Sequence, residues 1–224
     1  FYESVIVCHK AAKMYIERYA ELAEEKAAAE SDPKRKAELL MMAENSRQVA
    51  GGPAKTFWQA LQLFNYATTL TLIESNGHSV SYGRMDQWLW PYYEADIREG
   101  RISKDFALEL IEVVYVKMNN PTKLKDGGTV KVRQGRGFGG ECLTIGGVDR
   151  DGNDVTNDLT MLMLEASAHT RMMNPWLLVR MHENTPYELK VKTVECIRAG
   201  YGHPKLFNDE PTIRAMMRKG MTLE

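Results

Sequence analysis

The sequence predicts an α/β fold with a helix-rich first half, and three observations predict it. Apolar residues recur at three-to-four spacing through most of residues 1 to 120, the period of a helix with one buried face. From residue 142 onward, short apolar runs alternate with helical segments at about thirty-residue spacing, the pattern of β-α crossovers in a parallel sheet or barrel. Between these two textures lies a glycine-rich stretch. The chain therefore reads as a single segment, mainly helical over 1–125 and built of β-α units over 126–224.

The elements follow in order. Residues 1 to about 30 place Val5, Ala12, Tyr15, Ile16, Tyr19 and Leu22 on one helical face. "SDPKRKAELLMMAENSRQVA" restarts a helix, with Ser31 or Asp32 as cap and Pro33 at the first position, where its missing N–H costs nothing. "AKTFWQALQLFNYATTLTLIE" is apolar on most sides and predicts a buried helix. A fourth helix runs through "RMDQWLWPYYEADIREG", which Pro91 kinks unless it opens a new segment. Gly100 ends it, Ser103 caps the next, and "KDFALELIEVVYVKMNN" is amphipathic. "KDGGTVKVRQGRGFGGE" has six glycines in 17 residues and predicts a loop. Strands are expected over 142–148, 175–182 and 204–209, each followed by a helix. Asn157 or Thr156, Thr185, and Asp209 or Glu210 are the expected caps of those helices.

Composition narrows the function classes. The chain has 224 residues, 44% hydrophobic and 26% charged, with a net charge of -1. That balance argues against a nucleic-acid partner held by bulk electrostatics. No apolar run approaches the roughly 20 residues of a membrane-spanning helix. Three widely spaced cysteines, Cys8, Cys142 and Cys196, form neither a disulfide framework nor a metal-ligand pattern, which favours a cytoplasmic setting and core positions for all three. The chain opens without Met inside a helical pattern and closes just after Gly220, which predicts a segment of a longer protein.

Reactive groups in parallel α/β folds gather on loops after the strands, which selects "GGVDRDGND", "MHENTP" and "FNDEP". Helix capping explains most of their polar residues. Asp149 and Asp151 lack the spacing of a calcium loop, and no histidine pair has metal-ligand spacing, so no metal is expected. His182 and His203, near strand ends, are candidates for a base or ligand; His169 and His9, at helical positions, read as structural, His9 as packed and hydrogen-bonded. His78 differs, flanked by Asn76, Gly77 and Ser79 in a breaker-rich loop. A histidine there suits hydrogen bonding to a substrate hydroxyl or proton transfer, and equally suits local hydrogen bonds of the loop. The glycine-rich "GRGFGGE" lacks a P-loop ending and precedes its strand, so a tight turn beside a pocket, with Phe138 as its large apolar side chain, describes it.

Four stretches together resemble the glycyl radical enzymes, in the pyruvate formate-lyase-like family. They are "ESNGHSVSYGRMDQWLWPYYEADI", "FGGECLTIGGVDRDGNDVTNDLTMLMLEA", "PWLLVRMHENTP" and "GYGHPKLFNDEPTI", covering most of the chain from about residue 50. The resemblance implies part of a ten-stranded α/β barrel surrounded by helices. It also implies a glycyl radical, installed by a radical S-adenosylmethionine activating enzyme, that oxidises a cysteine to a thiyl radical. That thiyl radical abstracts hydrogen from a small hydroxylated substrate so that a neighbouring bond breaks.

The family's Gly-Cys-x-Glu motif is expected shortly after residue 224 and its radical glycine further on, so this segment holds neither. His78 and Ser79 resemble the pair that binds substrate hydroxyls in the glycerol and propanediol dehydratase branch, with His78 a proton relay, and Phe138 falls where relatives place an aromatic wall. A homodimer, and a cytoplasmic or microcompartment location, go with the resemblance. Sister branches include isethionate sulfite-lyase, choline lyase, hydroxyproline dehydratase and formate acetyltransferase, and a catalytically inert scaffold or binding module is the reading from another class.

Overall fold

The structure is a computed structural model, and it describes residues 1–74, 80–120, 127–128 and 141–222. The chain forms two compact units, Phe1–Leu70 and Thr71–Glu224.

In the first unit α1 (Tyr2–Ala29) lies along α2 (Pro33–Gly51). The buried stripe of α1 is Ile16, Ala20, Ala23 and Ala27, facing Leu39, Ala43, Ser46 and Val49 of α2. Val5, Tyr19 and Leu22, expected on that face, are exposed. Alanines at 20, 23 and 27 let two helix backbones approach closely, and this outweighs the larger apolar area of Tyr19 and Leu22. Asp32 caps α2 by accepting from the Lys34 amide, with Pro33 at the first turn. In the helix Phe57–Glu74, here α3, Gln62 and Tyr66 reach the Ser46 hydroxyl at 2.6 and 2.8 Å.

The second unit runs β1 (Ser81–Arg84), α4 (Met85–Trp88), α5 (Trp90–Arg98), α6 (Lys104–Lys117), β2 (Cys142–Gly146), α7 (Asp158–Thr170), β3 (Trp176–Met181), α8 (Tyr187–Arg198), β4 (Lys205–Asn208) and α9 (Asp209–Arg218). The four strands form one parallel sheet in chain order. Cys142 pairs with Trp176, Gly146 with Arg180, and Leu178 with Lys205. Alternation along the strands sends Leu143, Ile145, Leu177 and Val179 to one face, where each is fully buried. Ile111 of α6, Leu162 and Met163 of α7 and Leu189 of α8 are buried with them. Each such side chain contributes about 1.5–3 kcal/mol by leaving water. The opposite face, with Cys142, Thr144, Trp176, Leu178 and Arg180, is only half-buried, and all of β4 is exposed.

Some expectations need correction. Residues 81–84 form a strand that the period left unread. Pro91 opens a new helix rather than kinking one, with the bend at Leu89. Ser103 and Asn157 cap α6 and α7, the latter in a reciprocal box with Thr160. Thr185 does not cap α8; its hydroxyl accepts from the His182 amide at 2.8 Å and Pro186 precedes the helix. Asn208, not Asp209 or Glu210, caps α9. Of the cysteines only Cys196 is buried; Cys142 is intermediate and Cys8 exposed. His9 is hydrogen-bonded to the Val5 carbonyl but lies exposed, because α1 turns its alanines inward instead.

Candidate functional site

At the carboxyl ends of the strands, charged groups tie neighbouring strands together. Arg84, ending β1, donates to the Gly146 carbonyl at 2.7 Å and the Val148 carbonyl at 2.8 Å. Asp86, two residues later and fully buried, takes the Gly146 amide at 2.8 Å and the Thr160 hydroxyl at 2.7 Å on one carboxylate oxygen. Its own carbonyl accepts from Asn157 at 3.1 Å. One residue thus fixes the end of β1, the end of β2 and the start of α7. Burial pushes the Asp86 carboxyl up, against hydrogen bonds from Gly146 and Thr160 that pull it down. Burial likewise pulls the Arg84 guanidinium below its usual value, and the positive charge of Arg180 adds to that.

Further along, Arg180 of β3 grips Asp209 of α9 with two bonds of 2.9 and 2.7 Å. Gly147, at φ +87°, lies under that guanidinium, and a Cβ there would stand 2.8 Å from Nε. His182, following β3, meets Asp154 at 2.9 Å, and Asp154 also accepts from the Thr156 amide and hydroxyl. Both oxygens of Asp154 are therefore engaged, and the pair pins the loop after β2 to the end of β3. Asp149 closes its own turn through the amides of Asp151 and Asn153, which hold its carboxyl below the ordinary range. His203 sits among buried groups with Nε2 3.2 Å from the Met173 carbonyl, and burial lowers its pKa. His169 joins α7 to α6 through Glu112 at 2.7 Å.

A groove of about 720 Å³ opens beside these ends, lined among others by His182, Lys190, Thr193, Leu206 and Arg214. The loops chosen by the strand-end rule are therefore occupied by their own caps, turns and ion pairs. What the residue types did not flag was Asp86, Arg84 and Arg180. The signal available was an Arg-x-Asp step just before a strong aromatic helix pattern.

The proposed binding residues His78, Ser79 and Phe138 lie outside the described residues. Val80, next in the chain after Ser79, accepts the Cys142 amide at 3.2 Å, where β1 and β2 begin. At this amino end the half-buried face carries Cys142 and Trp176, with the Lys205 ammonium 4.0 Å from the Trp176 ring centroid. Among the described residues no cluster of three metal-ligating side chains occurs.

Comparison with known proteins gives one consistent answer. A profile of the family described as "Pyruvate formate lyase-like" matches residues 1–224. (2S)-3-sulfopropanediol dehydratase of Klebsiella oxytoca is 74% identical over 224 residues, 100% of this chain and 27% of that protein. Isethionate sulfite-lyase of Nitratidesulfovibrio vulgaris is 40% identical over 223 residues, 99% of this chain and 27% of that protein. The glycerol-bound B12-independent glycerol dehydratase from Clostridium butyricum superposes with a TM-score of 0.87 at 40% identity, covering 96% of this chain and 27% of that one. A glycyl radical enzyme from Archaeoglobus fulgidus gives 0.89 at 32% identity, with the same coverage of 96% and 27%. The chain spans about a quarter of the length of these relatives.

Proposed function

The chain belongs to the pyruvate formate-lyase-like family, its parallel sheet forming part of that family's ten-stranded α/β barrel, and from this premise we propose that the whole protein is a glycyl radical lyase that removes water from a small vicinal diol bearing a sulfonate. The observation that carries the reading is the 74% identity, along the entire chain, to (2S)-3-sulfopropanediol dehydratase. Residues 1–224 act as one segment of the larger barrel domain.

The radical machinery lies on the glycine and cysteine expected outside this segment. A radical S-adenosylmethionine activating enzyme sets it up, and it supplies hydrogen abstraction from a substrate carbon. This chain's residues bind and orient. His78 and Ser79 hold a substrate hydroxyl, fixing the carbon that faces the abstracting group. An imidazole can carry a proton in either direction, and His78 delivers one to the departing hydroxyl. Water then leaves in place of hydroxide, the retained hydroxyl gives up its proton as its carbon becomes a carbonyl, and the abstracted hydrogen atom returns to the neighbouring carbon, so that the diol becomes an aldehyde. Phe138 walls the pocket against solvent, which strengthens these polar contacts. The working enzyme is a homodimer in the cytoplasm or in a bacterial microcompartment.

A second reading has its own support. The 40% identity to isethionate sulfite-lyase favours carbon–sulfur cleavage within the same framework. The full-length protein, activated by its partner enzyme under anoxia, separates the two when given 3-sulfopropane-1,2-diol. A sulfonated aldehyde without sulfite is expected; released sulfite establishes the second reading instead. His78→Ala is expected to lower turnover by roughly 10²- to 10⁴-fold with the glycyl radical signal intact. Unchanged turnover refutes the role given to His78.

A further inference from the structure

We propose that Lys205, seated over Trp176 on the half-buried face of the sheet, recognises the anionic group of the substrate. The proposal rests on the reading above that the substrate carries a sulfonate. A sulfonate is ionised at every physiological pH, and leaving water unpaired is strongly unfavourable for such a group. Glycerol and 1,2-propanediol, named for two solved relatives at 40% and 37% identity, carry no charge. A pocket adapted to the sulfonated diol needs a cation that theirs does not.

Among the described residues three cations belong to the four strands: Arg84, Arg180 and Lys205. Arg180 spends two donors on Asp209, and Arg84 spends two on the Gly146 and Val148 carbonyls. Lys205 is placed differently. It opens β4 opposite Leu178, on the face shared by Cys142, Thr144 and Trp176. Among the described residues it forms no ion pair, and its Nζ stands 4.0 Å from the Trp176 ring centroid. The ring holds the ammonium by cation–π attraction on one side, which leaves the N–H donors on its other side for oxygen acceptors.

Seated on Trp176, the ammonium leans back from β4 across β3 toward β2. The Cys142 thiol registers it there: burial raises the thiol and the Lys205 charge pulls it back down. Glu141 acts on that thiol in the opposite sense, but it is 2% exposed, so the ammonium is the accessible charge. A compact ammonium with three donors suits a group with three equivalent oxygens. The location is also apt, because Cys142 is bonded to Val80 at the end of the sheet where the chain enters β1.

The test uses the full-length protein with Lys205→Met, Lys205→Gln and Lys205→Arg. Isothermal titration of 3-sulfopropane-1,2-diol and 1,2-propanediol into the unactivated protein measures affinity, and steady-state assays follow activation. Lys205→Met and Lys205→Gln are expected to weaken binding of the sulfonated diol and raise its KM by about 10- to 100-fold, the loss of one charge-assisted hydrogen bond. Lys205→Arg keeps the charge and stays within about fivefold of the parent. An undiminished glycyl radical yield shows that the variants fold. Unchanged affinity for the sulfonated diol in both neutral variants overturns the proposal, whatever the turnover. Affinity that depends on Lys205 without dehydration upholds it and overturns the dehydratase reading. If the parent protein binds 1,2-propanediol as tightly as the sulfonated diol, both fall.

Discussion

Replacing Asp86 by alanine removes an acceptor from two buried donors at once, the Gly146 amide at 2.8 Å and the Thr160 hydroxyl at 2.7 Å. The losses are unequal. Thr160 already has Asn157 Oδ1 at 3.2 Å and can turn to it, whereas the Gly146 amide is bound to Asp86 through a rigid strand end. An orphaned buried amide costs about 1–3 kcal/mol, and the emptied carboxyl volume roughly 1 kcal/mol more. Relief from holding a carboxylate in a fully buried place offsets part of this, because burial has raised its pKa. The net expectation is about 2 kcal/mol, or about 30-fold in local opening.

Hydrogen exchange of the peptide containing 142–148 in the full-length protein reads that number directly. Asp86→Asn retains one acceptor oxygen and is expected to stay within about 1 kcal/mol of the parent. The pH dependence has a definite sign. With the folded pKa raised above the ordinary 3.8, the native state binds the extra proton, so stability falls as pH rises from 3.8 through the folded value. Asp86→Asn removes that slope. Parental protection at Gly146 in Asp86→Ala, or equal damage from alanine and asparagine, would refute the acceptor argument.

Three more outcomes follow from the same geometry. Gly147→Ala places a methyl 2.8 Å from Arg180 Nε at φ +87°, so it is expected to cost about 2–4 kcal/mol by displacing the guanidinium from Asp209. In an Arg180→Ala background the guanidinium clash is gone and the roughly 1–2 kcal/mol of backbone strain remains, together with the 3.1 Å approach to the Cβ of residue 180; an equal cost in both backgrounds, measured by urea unfolding, contradicts the steric account. Because burial lowers His203, the unfolded chain takes up its proton first as pH falls below the ordinary 6.5, and stability is lost from there down through the folded value. His203→Gln should flatten the melting temperature over that window; a parental profile places the titration elsewhere. Ser103→Ala deletes the 3.1 Å cap on the Phe106 amide and should cost about 1 kcal/mol, visible as faster exchange confined to the first turn of α6.

Where one local rule decides an outcome, the sequence was legible. Asp32-Pro33, Ser103 and Asn157 each cap the helix they precede, because the short oxygen-bearing side chain and the following periodic pattern are both local. The three later strands were readable as apolar runs between helices, and the family resemblance added the barrel around them. β1 was not readable. Ser81-Tyr82-Gly83-Arg84 has one buried side chain, and it is a strand because β2 lies beside it. The face of α1 failed for a related reason, since hydrophobicity ranks tyrosine and leucine above alanine while close packing ranks them below. Asp86, Arg84 and Arg180 escaped because their partners lie 29 to 74 residues away along the chain. His78 stood out as a histidine in a breaker-rich loop and Phe138 as the large apolar side chain of a glycine-rich turn, while Ser79 and the binding roles of all three came from the family resemblance.

The spatial order of the strands has a consequence for synthesis. Because β1, β2, β3 and β4 adjoin in the order in which they leave the ribosome, each new strand finds the edge of its predecessor already formed. Among the four described strands none has to wait for a partner made later than its successor, and no earlier pairing has to be opened to admit a later one. The sheet can thus be laid down like courses of brick, each stage presenting one fresh edge to the strand that follows. Translation pauses after a completed strand-helix unit, as after Thr170 or Arg198, should therefore be better tolerated than pauses inside one, because they leave every earlier course closed on its buried face.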